Sequence, residues 1–293
     1  MRAPAHGGAA QPVVLEGAEW QDLRDAASGH TWRVWVQAPP SAPPPGGHAV
    51  LYVLDGATCF VLAAQLARNA MARPPDVRGS VPIVVGIGHP GHAPDHAARQ
   101  RDYTPPAPPG ERADAGQGEG KGAGGADALL DFIAHQVQPM VQARWPVNRA
   151  RQTLYGHSLA GLFTAYALLA RPGLFGAHVA ASPSLWWGGG AWLDSVPALL
   201  HALPAPLHAR VSLRVGMHED AAHASSPARA AVLAERRPVG RTRAMADMLT
   251  QHARAHGWTQ LHTRFAAYPG LDHGEVMPRA LLGAFALTRQ TPA

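Results

Sequence analysis

Cysteine and lysine are nearly missing from this 293-residue chain: Cys59 and Lys121 are the only examples of each. A lone cysteine excludes an internal disulfide framework and any zinc site built on a cysteine cluster. Cys59 therefore reads as a small core residue, which suits a reducing compartment. Charged residues make up only 15% of the chain, yet no uninterrupted apolar run approaches the roughly 20 residues that a membrane helix needs. The N-terminal stretch has an early arginine but no apolar segment, so no secretory signal is visible. A cytoplasmic location is expected, or a periplasmic one if a signal precedes the sequence. The formal net charge of +5 rests almost wholly on arginine. No dense basic run is interleaved with aromatics, so neither nucleic acid nor membrane is expected as a partner. A modest arginine excess is compatible with drawing in anionic small molecules.

What is present is a core. Residues of the hydrophobic class make up 46% of the chain, enough for one large α/β domain spanning residues 1–293. Residues 1–12 read as a loose tail. Thr31–Gln37 alternates apolar and polar residues, as a half-exposed strand does. Ala38–Gly47 is a Pro-rich loop, and Ala49–Leu54 is a continuous apolar run stopping at Asp55-Gly56, which predicts a buried strand. Further strands are predicted at Val81–Ile87, Thr153–Tyr155, His178–Ala181, Val211–Val215 and Leu261–Ala267. Helices are predicted at Thr58–Arg73, Ala126–Arg144, Leu159–Ala170, Ala191–Leu203, residues 228–257 with a break at Arg237-Pro238-Val239-Gly240, and Val276–Leu287. Residues 88–125 are rich in Pro, Gly and charge and read as a poorly ordered excursion, long enough for a lid. Buried strands alternating with helices predict a mostly parallel central sheet with helices on both faces.

One run carries chemistry. A short apolar strand, then Gly156-His157-Ser158-Leu159-Ala160-Gly161, then a helix is the setting of a nucleophile elbow in an α/β-hydrolase fold. Ser158 is the expected nucleophile. Gly156 and Ala160 are small, as the close approach of strand and helix requires. The bland alternative is a Gly-Ser turn capping a helix. In this fold the acid and then the histidine follow the serine in chain order. His273 sits in the loop between the last strand and the last helix and is the expected base. Glu219, just past Val211–Val215, is the preferred acid; Asp220 qualifies too, and a Ser–His dyad is the remaining option. The oxyanion hole is expected from the backbone N–H of Leu159 and that of Ala57 in the loop after Ala49–Leu54. No metal or cofactor is expected: His218-Glu219 lacks the second histidine of an HExxH zinc motif, and Pro94 between His92 and His96 argues against a helical ligand pair.

The stretches LYVLDGATCF, VPIVVGIGHPG, RDYTPP, GGADALLDFI, QTLYGHSLAGLF, VAASPSLWW, VGMHED and YPGLDHGEVMP occur in this order across most of residues 48–285. In combination they resemble the esterase family that includes the ferric enterobactin (enterochelin) esterases, and most of all its compact type without an added N-terminal domain. Ala160 departs from the usual glycine, and Glu219 is followed by Asp rather than an amide. The resemblance implies hydrolysis of the ester bonds of a tri-catecholate siderophore trilactone, which frees iron after uptake. For such an anionic, aromatic substrate the candidate binding residues are Arg101, Arg236 and Arg237, with Arg99, Arg241 and Arg243 nearby, and the pair Trp186 and Trp187. Surface arginines and core tryptophans are the plainer readings of the same residues. The competing functions are a general carboxylesterase, thioesterase or acyltransferase on small acyl substrates, and a non-catalytic ligand-binding protein.

Overall fold

The computed structural model describes residues 13–91, 93–106 and 122–290. The expected tail at residues 1–12, His92 and the middle of the excursion lie outside the described residues. Eight strands form one sheet: β1 (Ala18–Arg24), β2 (Thr31–Gln37), β3 (His48–Leu54), β4 (Ile83–Gly88), β5 (Val147–His157), β6 (Ala177–Ala181), β7 (Ala209–Gly216) and β8 (Leu261–Tyr268). Their order is β1-β2-β4-β3-β5-β6-β7-β8. β2 runs antiparallel to β1 and β4, and every pairing from β4 to β8 is parallel. This is the α/β-hydrolase arrangement, with its ligand-facing edge at the carboxyl ends of the parallel strands.

The helices are α1 (Gly56–Met71), α2 (Pro75–Arg78), α3 (His96–Tyr103), α4 (Ala126–Phe132), α5 (Gln138–Arg144), α6 (Leu159–Ala170), α7 (Ala191–Ala202), α8 (Pro227–Arg236), α9 (Pro238–Ala255) and α10 (Val276–Arg289). β3 shows how they are layered. All seven of its residues are buried. Val50, Tyr52 and Leu54 join the cluster that contains α4 and Phe163, whereas Leu51 and Val53 point the other way, among residues of α1 and α10. The two-residue period of a strand thus divides one apolar run between two cores.

α6 serves two cores as well. Phe163 and Tyr166 face the first, and Leu162, Leu168 and Leu169 face a third cluster with α7 and α9. Ten of its residues are buried. A helix apolar all round has to be enclosed, and this one is the strut on which Ser158 stands.

Three elements depart from the sequence reading. β1 was not anticipated, because nearly all of it is exposed or half-exposed and it has no apolar alternation. Cross-strand pairs hold it instead: Arg33, opposite Asp22 in the register, forks onto that carboxylate at 2.7 and 2.9 Å and lies 3.7 Å over the Trp20 ring. Such pairs contribute about 0.2–1 kcal/mol each. The helix expected over Ala126–Arg144 contains a π-helical turn at Ile133–Val137. Pro139, just past it, has no N–H to return to His135, and a widened turn accommodates that loss.

The third departure is a correction to the excursion. Its first part is ordered: α3 is capped by Asp95, whose side chain accepts from Ala98 N–H. Asp102 on α3 is fully buried and accepts from Trp32 Nε1 at 2.7 Å, from Arg101 Nε at 2.6 Å and from Arg101 Nη2 at 2.9 Å, and it pairs with His89 at 2.8 Å. Polar anchoring orders this segment, and a count of apolar residues does not register it.

Candidate active site

Four non-glycine residues among those described have positive φ, and three of them end parallel strands: Asp55 after β3, Ser158 after β5 and Ser182 after β6. Strain of this kind costs about 1–3 kcal/mol per residue. The burial of α6 offsets it, since each enclosed Leu or Phe side chain contributes about 1.5–3 kcal/mol.

Ser158 has φ 62° and ψ −121°. The turn is possible only because Gly156 has no side chain: a Cβ there would lie 2.0 Å from the Ala160 carbonyl oxygen. Ser158 N–H donates to Ala181 O at 3.0 Å, and Ser158 O accepts from Leu162 N–H and Ser184 N–H. The serine backbone is thus fixed on both sides, and Oγ lies 3.4 Å from the Ser184 hydroxyl.

His273 Nε2 lies 3.1 Å from Ser158 Oγ, and His273 Nδ1 lies 2.7 Å from Glu219 Oε2. Glu219 is buried, and its Oε1 accepts from Ser182 Oγ at 2.5 Å and from Gly216 N–H at 2.9 Å. Burial pushes its pKa up, but the bonds from His273, Ser182 and Gly216 outweigh burial and hold it below the ordinary glutamate value. The group is a carboxylate with both oxygens committed. Since the carboxylate accepts, His273 Nδ1 carries the proton and Nε2 turns its lone pair to the serine. Asp220 points elsewhere: its Oδ1 accepts from Ala222 N–H in the following turn.

The loop bearing His273 is braced. Asp272 Oδ1 accepts from the N–H groups of Gly274 and Glu275 at 2.9 Å, and Glu275 Oε2 accepts from Asp272 N–H. His157 Nε2 meets the His273 carbonyl oxygen at 2.7 Å. Burial and the facing His273 ring lower the His157 pKa to about 4, so it is a neutral donor at pH 7.

Leu159 opens α6 and Ala57 lies in the first turn of α1. First-turn N–H groups have no partner within a helix, and these two helices spring from the neighbouring strands β5 and β3. Asp55, just before α1, is gripped by Arg99 through two bonds of 2.7 and 3.0 Å, and its N–H donates to the Tyr103 hydroxyl. α3 therefore fixes the Ala57 loop. A shallow cleft lined by Gly56, Ala57, His89 and Asp95 opens there.

The anticipated substrate residues divide. Arg101 has its fork on Asp102, and Arg99 has its fork on Asp55; both look after the scaffold. Trp186 and Trp187 are half-buried, with ring centroids 6.4 Å apart, on the loop that runs on from Ser182 and Ser184 beside Ser158. Arg236, at the end of α8, lies 3.8 Å over the Trp186 ring. Arg237 is exposed and forms the left-handed link between α8 and α9, with φ 48°. Arg241 donates to Gly189 O, and Arg243 lies over Phe265. Sequence reasoning gave no separate role to His157, Ser182 or Ser184. Serines directly after a buried strand were the available signal.

The family described as "Putative esterase" matches residues 26–267. The chain belongs to this esterase family. The ferri-bacillibactin esterase BesA of Bacillus subtilis is 32% identical over 184 residues, which is 62% of this chain and 63% of BesA. The siderophore triacetylfusarinine C esterase of Aspergillus fumigatus is 35% identical over 240 residues, 78% of this chain and 77% of that protein. Among solved structures, the siderophore hydrolase EstB of Aspergillus nidulans superposes with a TM-score of 0.74 at 29% identity, covering 95% of this chain and 97% of EstB. The family's fold is therefore present over nearly the whole chain. No helix among the described residues is long and apolar enough to cross a membrane.

Proposed function

We propose that the chain is a serine esterase that hydrolyses the ester bonds of a catecholate siderophore trilactone and so releases its iron. The observation that carries the catalytic part is the unbroken hydrogen-bond chain from Ser158 Oγ through His273 to Glu219. In this reading Ser158 Oγ attacks the ester carbonyl while His273 Nε2 takes its proton. Glu219 holds the ring and stabilises the cation that forms. The N–H groups of Leu159 and Ala57 receive the developing oxyanion. His273 then returns the proton to the leaving alcohol, and water repeats the sequence on the acyl-enzyme.

The substrate part is supported by the names of the relatives, which are esterases of bacillibactin and of triacetylfusarinine C. It is also supported by the Arg236–Trp186 stack beside the nucleophile loop, which offers charge and a flat face to an anionic aromatic ligand. Hydrolysis then takes place in the cytoplasm, after uptake. The test is product analysis after incubation with ferric and iron-free tri-catecholate trilactones, with a fluorophosphonate probe in parallel. The reading requires ring-opened products and labelling of wild type but not of Ser158→Ala. Labelling without trilactone turnover would leave a serine hydrolase acting on other acyl substrates.

A further inference from the structure

α7 and α9 both run away from the edge that carries Ser158, because each leads into the amino end of a parallel strand, β7 and β8 respectively. At their far ends three histidines meet. His201 lies in the last turn of α7, and His252 and His256 lie at the carboxyl end of α9. One ring nitrogen from each falls within 4.8 Å of the other two. We propose that His201, His252 and His256 form a binding site for a divalent transition metal of the zinc class, on the face of the molecule opposite the esterase site.

Three features of the cluster argue for ligation. First, His256 is preset. Its Nδ1 lies 3.0 Å from the His252 carbonyl oxygen, which only accepts, so Nδ1 carries the proton and Nε2 presents a lone pair. A ligating histidine is commonly oriented in this way, by a carbonyl on its other nitrogen. Second, the donor that has to be placed by the fold is placed. His252 is buried, with the Trp258 ring edge-on at 4.6 Å and the His256 ring stacked at 4.0 Å. Leu200, Leu249 and Ala253 pack the two helices into one core around it. Third, His201 and His256 are exposed, and among the described residues no carbonyl bond of the kind that sets His256 holds the His201 ring. Imidazole nitrogens about 2.0–2.1 Å from a tetrahedral ion lie about 3.3 Å apart, and a turn of the His201 ring, with a small shift of His256 that keeps its carbonyl bond, covers that difference.

An all-imidazole donor set suits Zn2+, Cu2+ and Ni2+, and it suits Mg2+ and Ca2+ poorly, since these want oxygen. Solvent completes the coordination. The ion would tie the end of α7 to the end of α9 and so stabilise the folded chain; it takes no part in ester hydrolysis. The i, i+4 spacing of His252 and His256 stands in the sequence, but it was not singled out there, and no metal was expected. Spacing could not add His201, because it comes from another helix.

The experiment uses tag-free protein stripped with a chelator, titrated with ZnCl2 in a non-coordinating buffer at pH 7.5, with heat of binding and thermal midpoint as readouts. One Zn2+ per chain is expected, with a dissociation constant of about 1 µM or below and a rise in Tm of about 5 °C at saturation. His201→Ala and His256→Ala should each weaken binding at least about tenfold. Both should match the stripped wild type in Tm without metal and keep its esterase rate. MgCl2 should shift nothing. A single zinc site of unchanged affinity in the His201→Ala/His256→Ala double variant would overturn the assignment, and so would no binding at 100-fold the expected dissociation constant.

Discussion

His157, the residue before Ser158, holds the residue that meets the Ser158 hydroxyl: its Nε2–H donates to the His273 carbonyl oxygen across 2.7 Å, and the two rings lie 4.6 Å apart. The elbow and the histidine loop are thus one mechanical unit. Removing the donor should loosen the base without removing it. For His157→Ala a fall in kcat of about 10- to 100-fold is expected with KM nearly constant, because small misplacements of a catalytic group cost that much. His157→Gln, which keeps a donor, should recover part of the loss. Equal kcat in all three proteins would show that the contact does not position His273.

The two adjacent acids should behave differently. Glu219→Gln leaves the volume but removes the charge facing His273, and it forces one of three occupied acceptor positions to become a donor. A loss in kcat of about 10³- to 10⁴-fold is expected, as for other triads deprived of their carboxylate. Asp220→Asn keeps an oxygen to accept from Ala222 N–H and should stay within about twofold of wild type. Steady-state rates on a chromogenic ester decide the matter, and a reversed ranking would move the acid to Asp220.

Small residues at the elbow are not equivalent. A methyl at Gly156 would meet Ala160 O at 2.0 Å and Thr164 Oγ1 at 2.6 Å, so strand and helix would have to part. Gly156→Ala should fail to accumulate as soluble protein or lose more than about 3 kcal/mol of stability. Ala160→Gly removes one buried methyl and one good helix former. It should cost about 1–2 kcal/mol in urea unfolding while activity persists. Loss of activity in a folded Ala160→Gly protein would contradict this view of the turn.

The fold was legible where burial writes a pattern. The continuous apolar runs of β3 and β4, the alternation of β7 and the periodic faces of α1, α9 and α10 announced themselves. The order serine, acid, histidine singled out His273 among seventeen histidines, and in the structure it is this ring that lies between Ser158 Oγ and Glu219. Hidden were the parts held by pairwise polar contacts. β1 depends on Arg33 and Asp22, distant neighbours across a turn, and α3 depends on Asp102 reaching Trp32, 70 positions away. The same cause explains Arg101. A basic residue near a functional loop looks the same in sequence whether its fork awaits a ligand or is already filled by a buried carboxylate.

Stability should fall as the solution is acidified through a defined window. Burial lowers the pKa of His157 and of His178 from 6.5 to about 4 in the folded chain, with the His273 ring adding to the effect at His157. Between those values the unfolded chain binds more protons than the folded one, so unfolding becomes easier as pH drops. The stabilisation is complete above about pH 6.5 and is lost progressively toward pH 4. These two groups together contribute a slope approaching about 2.7 kcal/mol per pH unit near pH 5, and His48 and His252, also lowered by burial, add to it in the same direction. Glu219, also held low, adds its loss only further down, below 4.5. Urea unfolding at pH 5 and pH 7 in wild type and His157→Gln checks this: the substituted protein should lose clearly less stability between the two pH values, and an equal loss would show that His157 does not contribute.

Charge at the mouth of the site should set substrate preference. The Arg236 guanidinium carbon lies 3.8 Å over the Trp186 ring centroid, so the indole occupies one side of the group while its N–H donors are left for a ligand. Arg101 and Arg99 have no such freedom, since buried or half-buried carboxylates fill their forks. Arg236→Ala should therefore raise KM for an anionic catecholate trilactone about tenfold and leave KM for a neutral aryl ester within about twofold. Trp186→Ala should follow it, because it removes both the flat surface and the support beneath the arginine. Raising salt from 50 to 500 mM should reproduce the selectivity in wild type by screening the attraction, and Arg236→Ala should show a shallower dependence. An equal loss on both esters would point to damage at the Ser182–Trp187 loop rather than to recognition of charge. A neutral ester preferred at every salt concentration would remove the catecholate from the proposed function.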